Sequence, residues 1–381
     1  MTQYDLLFKG GEVIRPADGF RGPLDVAIAD GRIAALAPEI PSQQAKEVVD
    51  ARGKLVVPGL IDLHTHLGFE LHRRVTWAED VCPRSGVTTA VDMGSTGAFT
   101  FPWYKEHALS HSPMRLWEFI NISSIGVIAI HTPYYVDHYG EYIDVDDTIR
   151  TIEENRDYIR GIKVFASSAM VGEWSLKALE AAREVGQATG LPVAVHISVE
   201  PPTLEEVLDR LGPGDIITHS YTPWNQGILD AEGHLRPAVR EARERGIFFD
   251  LGHGAGSFAF DTARRALDQG FAPDSISTDI YYANVETPVK DLLTTVSKFL
   301  NLGMPLEEAL AKVTVNPARA LHAQELGTLQ PGGPADLAVL RLEEGEYNFV
   351  DSRKETLTGR WELFCELTVY QGRIIYQNRR A

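Results

Sequence analysis

The chain has 381 residues, of which 44% are hydrophobic and 23% charged, the balance of a globular protein and not of a fibrous or disordered one. Its formal charge of −17, with no clustered run of lysine and arginine, argues against nonspecific nucleic-acid or anionic-membrane binding, because phosphate contacts need such clusters. No apolar stretch approaches the roughly 18 residues a membrane helix needs, and MTQYDLLFKGGEVIRPADG at the N-terminus lacks the basic start and apolar run of a secretion signal, so a cytoplasmic location is expected.

The chain opens with short strands, YDLLFKGGEVI and LDVAIADGRIAAL, the second folding back at ADGR as a hairpin does. From about residue 55, apolar β-rich runs alternate with amphipathic helical stretches, which implies a parallel sheet with crossover helices. The candidate strands are LVVPGLIDLHTH, TTAVDMG, LWEFINIS, GIKVFAS, LPVAVHIS, DIITHS, IFFDLGHG and SISTDIY. Between them SLKALEAAREVGQATG, TLEEVLDRLG, HLRPAVREARERG and FAFDTARRALDQG place apolar residues at helical spacing with a glycine near each end.

An open doubly wound sheet would carry a glycine-rich phosphate turn after its first strand, and LIDLHTHLGF has none. The expected fold is therefore α/β, a (β/α)8 TIM barrel over residues 56–324. ADLAVLRL and LTVYQGRIIYQN then return to short strands, so residues 1–55 and 325–381 are expected to pair into one small β-sandwich domain beside the barrel. Cys82 and Cys365 are the only cysteines; far apart and outside any CxxC spacing, they suggest neither a disulfide framework nor a thiolate zinc site.

In such a barrel, polar residues at the C-terminal strand ends point into the mouth, where enzymes of this shape keep their sites. The first strand ends in His64-Thr65-His66, and alternation puts both imidazoles on one side, suited to gripping a cation. Lys163 in GIKVFAS, His196 in VAVHIS, His219 in ITHS and Asp279 in STD follow at later strand ends. Each has an ordinary explanation when taken singly: a chance HxH, a hydrogen-bonded core histidine, a lysine whose head reaches water, an aspartate capping a helix. Independent structural residues have no reason to converge on one mouth, so together they read as metal ligands. A lysine buried there makes sense once carbon dioxide converts its ammonium into a carbamate whose two oxygens can bridge two cations. His253 in FFDLGHGAGSF, with Tyr281 and Tyr282 after Asp279, is a candidate substrate contact. His131, Tyr134 and Tyr135, and His72, Arg73 and Arg74, sit in loops where a solvated surface is the simpler reading.

These motifs resemble the amidohydrolase superfamily over nearly the whole chain, and VNPARAL and GTLQPGGPADLAVL look like that family's link into its terminal β domain. Within it the chain looks like the dihydroorotase-like group with a carboxylated lysine, and most like its deacetylase branch, which FFDLGHGAGSF resembles. Dihydroorotases follow HxH with an arginine that binds the substrate carboxylate; here that position is Gly68. The resemblance implies two divalent metals, zinc being expected on affinity and availability. It implies that His64, His66, the Lys163 carbamate and Asp279 hold the first metal, while the carbamate, His196 and His219 hold the second, with a hydroxide bridging both and Asp279 as general base and then acid.

The implied activity is removal of the acyl group from a small acylated carboxylic acid, either an N-acyl amino acid or an O-acetyl 2-hydroxy acid such as acetylmandelate. The alternative is a cyclic amidase of the dihydroorotase, hydantoinase or allantoinase kind. A noncatalytic scaffold is a third reading, which the intact ligand set argues against. The expected partner is a small molecule, with a homo-oligomer left open.

Overall fold

A computed structural model describes residues 2–68 and 76–378, without the side chain of Glu79; His72, Arg73 and Arg74 lie outside the described residues. The chain is a mixed α/β fold with two sheets. The first is built from both chain ends: β1 (Tyr4–Arg15), β2 (Phe20–Ala29), β3 (Arg32–Ala37), β4 (Ala45–Asp50) and β5 (Leu55–Pro58) come from one end. The second is a curled parallel sheet of β6 (Leu60–Thr65), β7 (Val87–Asp92), β8 (Arg115–Asn121), β9 (Ile159–Phe165), β10 (Val193–His196), β11 (Ile216–Thr218) and β12 (Phe248–Phe249), paired in chain order. β13 (Leu337–Val350), β14 (Thr356–Tyr370) and β15 (Arg373–Gln377) complete the first.

The terminal sheet runs β15-β14-β13-β5-β1-β2-β3, with β4 on β1. β5 is its join, parallel to β1 and antiparallel to β13, where Leu337 faces Pro58. The hairpin turn expected at ADGR is present, with Asp30 and Gly31 at φ 51° and 71°, and a like turn at YQGR has Gln371 and Gly372 at 49° and 77°, the paired left-handed residues that match the twist of flanking strands. The expectation of only short C-terminal strands is corrected. β13 and β14 form a hairpin of 14- and 15-residue strands, whose distal half mixes exposed polar residues with Phe349, Tyr347 and Leu357 packed on the core.

Seven of the eight expected parallel strands form; SISTDIY is not a regular strand. Its backbone nevertheless bonds to both edges of the curled sheet. Leu251 N–H donates to the Ser275 carbonyl and His253 N–H to that of Ser277 on the β12 side, while Asp279 N–H donates to the His64 carbonyl and His66 N–H to that of Ile280 on the β6 side. Side chains interrupt the ladder between these points, since Thr278 N–H donates to Asp62 Oδ1 at 3.0 Å and Ile280 N–H to Thr278 Oγ1 at 3.0 Å.

Helices cover the curled sheet as the spacing predicts. The helix Ser175–Thr189 buries Ala178, Leu179, Ala182 and Val185 and ends at Gly190 with φ 72°, where a left-handed residue needs no side chain. Burial of its larger apolar side chains contributes on the order of 2 kcal/mol each. The helix Leu204–Leu208 starts at a reciprocal capping box between Thr203 and Glu206, which satisfies two free backbone donors. Among the described residues, no helix is long and apolar enough to cross a membrane.

Candidate metal centre

The strand ends on one side of the curled sheet surround a cavity of about 490 Å³ whose wall includes His64, His66, Lys163, His196, His219 and Asp279. All six predicted ligand positions thus meet in one place. His64 ends up there because β6 alternates, and His66 follows two residues on. Lys163 belongs to β9, His196 closes β10 and His219 follows β11.

Two of these residues hold unusual backbone. His219 and Asp279 have φ of 67° and 48°, a region that costs a non-glycine residue about 1–2 kcal/mol and is held only where surroundings fix it. The Asp279 N–H donates to the His64 carbonyl at 2.6 Å, and its own carbonyl accepts from Asn284 Nδ2 at 2.9 Å. The His219 ring donates from Nδ1 to the Gly252 carbonyl at 2.7 Å, which leaves Nε2 with its lone pair.

Asp279 Oδ1 lies 3.4 Å from His64 Nε2 and 3.2 Å from His66 Nε2. Ligand atoms of these three residues all lie within 4.8 Å of one another, a spacing one cation can span. The His219 ring sits 5.0 Å from that of His64 and 4.3 Å from that of His196. Nε2 of His64 and Nζ of Lys163 are buried without any hydrogen-bond partner. Buried polar atoms are rarely left so, and an orphan at a polar cavity signals a missing ion or ligand. A set of imidazoles and a carboxylate without thiolate suits zinc, manganese, cobalt or iron, and the orphaned His64 Nε2 fits such an ion, whereas the Lys163 ammonium does not unless it is converted to an anion.

The electrostatics agree. Burial lowers the His64 and His196 imidazoles well below their usual range and His219 to about 4, so these rings are neutral lone-pair donors near pH 7. Lys163, 1% exposed, is lowered from 10.5 to about 8 by burial, against the raising influence of Asp279, Asp250 and Asp92.

The proposed substrate contacts separate. Tyr281 lines the cavity; Tyr282 does not, and is 54% exposed. His253 is corrected: it is absent from the cavity wall and fully buried. Its Nδ1–H donates to the Gly254 carbonyl at 2.8 Å and its Nε2 accepts from Lys298 Nζ at 2.7 Å, while that ammonium also donates to the Pro288 and Val350 carbonyls. With both nitrogens committed, His253 ties the loop after β12 to the helix Leu292–Asn301. Tyr135 is core, its hydroxyl donating to the Gly126 carbonyl at 2.8 Å, and Tyr134 is exposed. His131, held only as a loop residue, does line the cavity, with φ 65°.

Sequence reasoning missed four residues that shape the centre. Ser95 Oγ lies 2.9 Å from His66 Nδ1, and Thr218 Oγ1 lies 2.7 Å from His64 Nδ1 with Asp250 behind it. Gly254, at φ 53°, passes so close to Asp279 that a Cβ there would come within 2.3 Å of Oδ2. A small-residue run, GHGAG after β12, was the available signal for the last; the hydroxyls gave none.

Residues 55–372 match the amidohydrolase family. A deacetylase of Enterococcus faecalis is 33% identical over 98% of this chain and 100% of its own length. Among solved structures, one described as an adenine deaminase superposes with a TM-score of 0.91 at 32% identity, covering 98% of this chain and 100% of that one. A dihydroorotase crystal structure superposes at 0.86 with 28% identity, covering 98% of each chain.

Proposed function

The chain belongs to the amidohydrolase family and is a hydrolase of that class; from this premise we propose that it is a binuclear deacylase that cleaves the acyl group from a small acylated carboxylic acid, an N-acyl amino acid or an O-acetyl 2-hydroxy acid. On this reading the curled sheet and its helices are a (β/α)8 barrel and the terminal sheet a β-sandwich domain beside it, with the boundary expected at residue 56 moved to Gly59 because β5 (Leu55–Pro58) belongs to the terminal sheet. His64, His66 and Asp279 hold one divalent cation, His196 and His219 the other, and Lys163 as a carbamate serves both. Such a pair of ions, zinc on affinity, supplies a water of lowered pKa and polarises the acyl carbonyl.

The remaining chemistry belongs to the chain. Asp279 presents Oδ1 to the two histidines and Oδ2 over Gly254, so Oδ2 is the atom that takes the proton from water and returns it to the leaving nitrogen or oxygen. The neutral imidazoles of His64 and His219 keep Nε2 free for a cation, and that of His196 is neutral as well.

The observation that favours a deacylase over a cyclic amidase is Gly68. Its φ is 142°, and a Cβ there would meet Tyr104 Cε2 at 2.2 Å, so this position leaves no room for an arginine that clamps a dihydroorotate carboxylate. Gly68→Ala is expected to destabilise the protein by about 1–3 kcal/mol through overpacking, read from chemical denaturation; unchanged stability would show that Tyr104 does not block the position.

The test is metal content followed by a substrate panel. Two metals per chain and acetate release from N-acetyl amino acids or O-acetyl 2-hydroxy acids are expected. Efficient ring opening of dihydroorotate, hydantoin or allantoin would move the protein to the cyclic amidases, and ammonia from adenine, the substrate named for the structural neighbour, would make it a deaminase.

Carbamate formation adds a pH expectation. Carbon dioxide adds only to a neutral amine, and with Lys163 at about 8 the neutral fraction grows about eightfold between roughly pH 7 and 8.5, against about thirtyfold for an unperturbed lysine. Activation of metal-free protein by zinc at fixed dissolved carbon dioxide should follow the shallower dependence. The thirtyfold dependence would mean that an ordinary exposed amine is reacting.

A further inference from the structure

Asp250 and Thr218 lie behind the centre and outside the cavity wall, yet they form a chain of hydrogen bonds that ends on His64. Asp250 is fully buried beyond the end of β12. Its Oδ1 accepts from Ser275 Oγ at 2.5 Å and from Ser277 Oγ at 2.7 Å, and its Oδ2 accepts from Ser277 Oγ at 2.8 Å and Thr218 Oγ1 at 2.8 Å. A carboxylate so placed can only accept. The single hydroxyl hydrogen of Thr218 is therefore committed to Asp250, and the Thr218 oxygen, 2.7 Å from His64 Nδ1, has only its lone pairs to offer the ring. His64 must then carry its hydrogen on Nδ1, and Nε2, which has no partner in the protein, keeps its lone pair toward Asp279 and the cavity.

Resting on the reading of His64 as a metal ligand, we propose that Asp250 and Thr218 are positioning residues that set the tautomer and orientation of His64 through this relay and so raise cation affinity. His219 shows by contrast why a relay matters. Its Nδ1 bonds a backbone carbonyl, which can never donate, so its tautomer is fixed whatever lies beyond. A hydroxyl can turn either way. Only the anion behind Thr218 prevents it from donating to His64 Nδ1 and driving the ring hydrogen onto Nε2, where a cation needs a lone pair. Thr218 and Asp250 are distant from β6 in sequence and reach His64 only because β11, β12 and the segment 275–280 close on β6.

Zinc affinity measured by competition with a chromophoric chelator tests this. Thr218→Val, which keeps size and removes the hydroxyl, and Asp250→Asn, which removes the anion, are each expected to weaken zinc binding by about 10- to 100-fold, while Thr218→Ser stays close to the parent. Thermal melts of the metal-free variants confirm folding. Unchanged affinity in Thr218→Val, or an equal loss in Thr218→Ser, would overturn the relay and assign position 218 to packing. Nitrogen-15 shifts of the His64 ring in metal-free parent protein give an independent reading: hydrogen on Nδ1 is expected, and hydrogen on Nε2 would overturn the proposal even if a variant failed to fold. A parent protein that binds no zinc at all would instead sink the metal-centre reading, a result distinct from these.

Discussion

Asp279→Asn is expected to lower kcat for acyl release by about 10³-fold, within the range that a positioned proton-transfer group contributes, while KM changes far less. Asparagine has nearly the same size and retains a carbonyl oxygen to face His64 and His66, so the contacts now made by Oδ1, at 3.4 and 3.2 Å, can persist. What it loses is an oxygen able to take a proton on the Gly254 side. The leaving group of an amide departs poorly unless it is protonated, so the loss should be larger for N-acyl than for O-acyl substrates. Equal losses for both, or a variant within tenfold of the parent, would show that another group moves the proton.

Lys163→Met has the second large effect, and it runs in opposite directions for function and stability. The side chain is 1% exposed, its Nζ has no partner, and burial lowers its pKa to about 8. A buried polar group without a partner costs about 1–3 kcal/mol, so an apolar side chain of similar length should raise the Tm of the metal-free protein. The linkage has a definite sign. A lysine whose folded pKa lies below its unfolded value is an unfavourable contribution that is fully present below about pH 8 and is relieved as pH rises toward 10.5. The gain in Tm from Lys163→Met should accordingly shrink between those pH values. Activity should fall by more than about 10³-fold, because the proposed mechanism has Lys163 serve both ions and the variant removes it. Full activity in this variant would rule out a carbamate at Lys163.

How much of this could be read from the chain depends on how local the information was. Alternation in HTH placed both histidines, and Lys163 stood out as a charge within an apolar strand; neither needed a partner to be recognised. Gly190 announced a helix end from neighbouring residues alone. SISTDIY misled because its composition suits a strand, whereas two of its backbone donors go to side chains, that of Thr278 to Asp62, 216 positions away, and that of Ile280 to Thr278 Oγ1. His253 misled in the same manner: a local motif suggested a substrate contact at a strand end, but Lys298, 45 residues on, claims its Nε2. The hydroxyls behind His64 and His66 carried no signal, since serine and threonine are unremarkable until the fold brings an imidazole to them. Gly68 was noticed for what it lacked; the Tyr104 ring that forbids any side chain there belongs to another part of the chain.

The position of β5 has a consequence for how the molecule is made. β5 is synthesised early, and its antiparallel neighbour β13 emerges from the ribosome only on the order of tens of seconds later at ordinary translation speed. Throughout that interval the apolar Leu55–Pro58 edge is unpaired, the kind of strand edge that nascent chains must shield from one another. Because β5 runs through Gly59 directly into β6, a chain that stalls or is cut before β13 would leave β5, the strand that leads into the one carrying His64, paired with β1 alone. A late strand of the chain, β13, therefore closes over the segment that leads into His64, so the approach to the candidate centre is completed only after the rest of the curled sheet has been made.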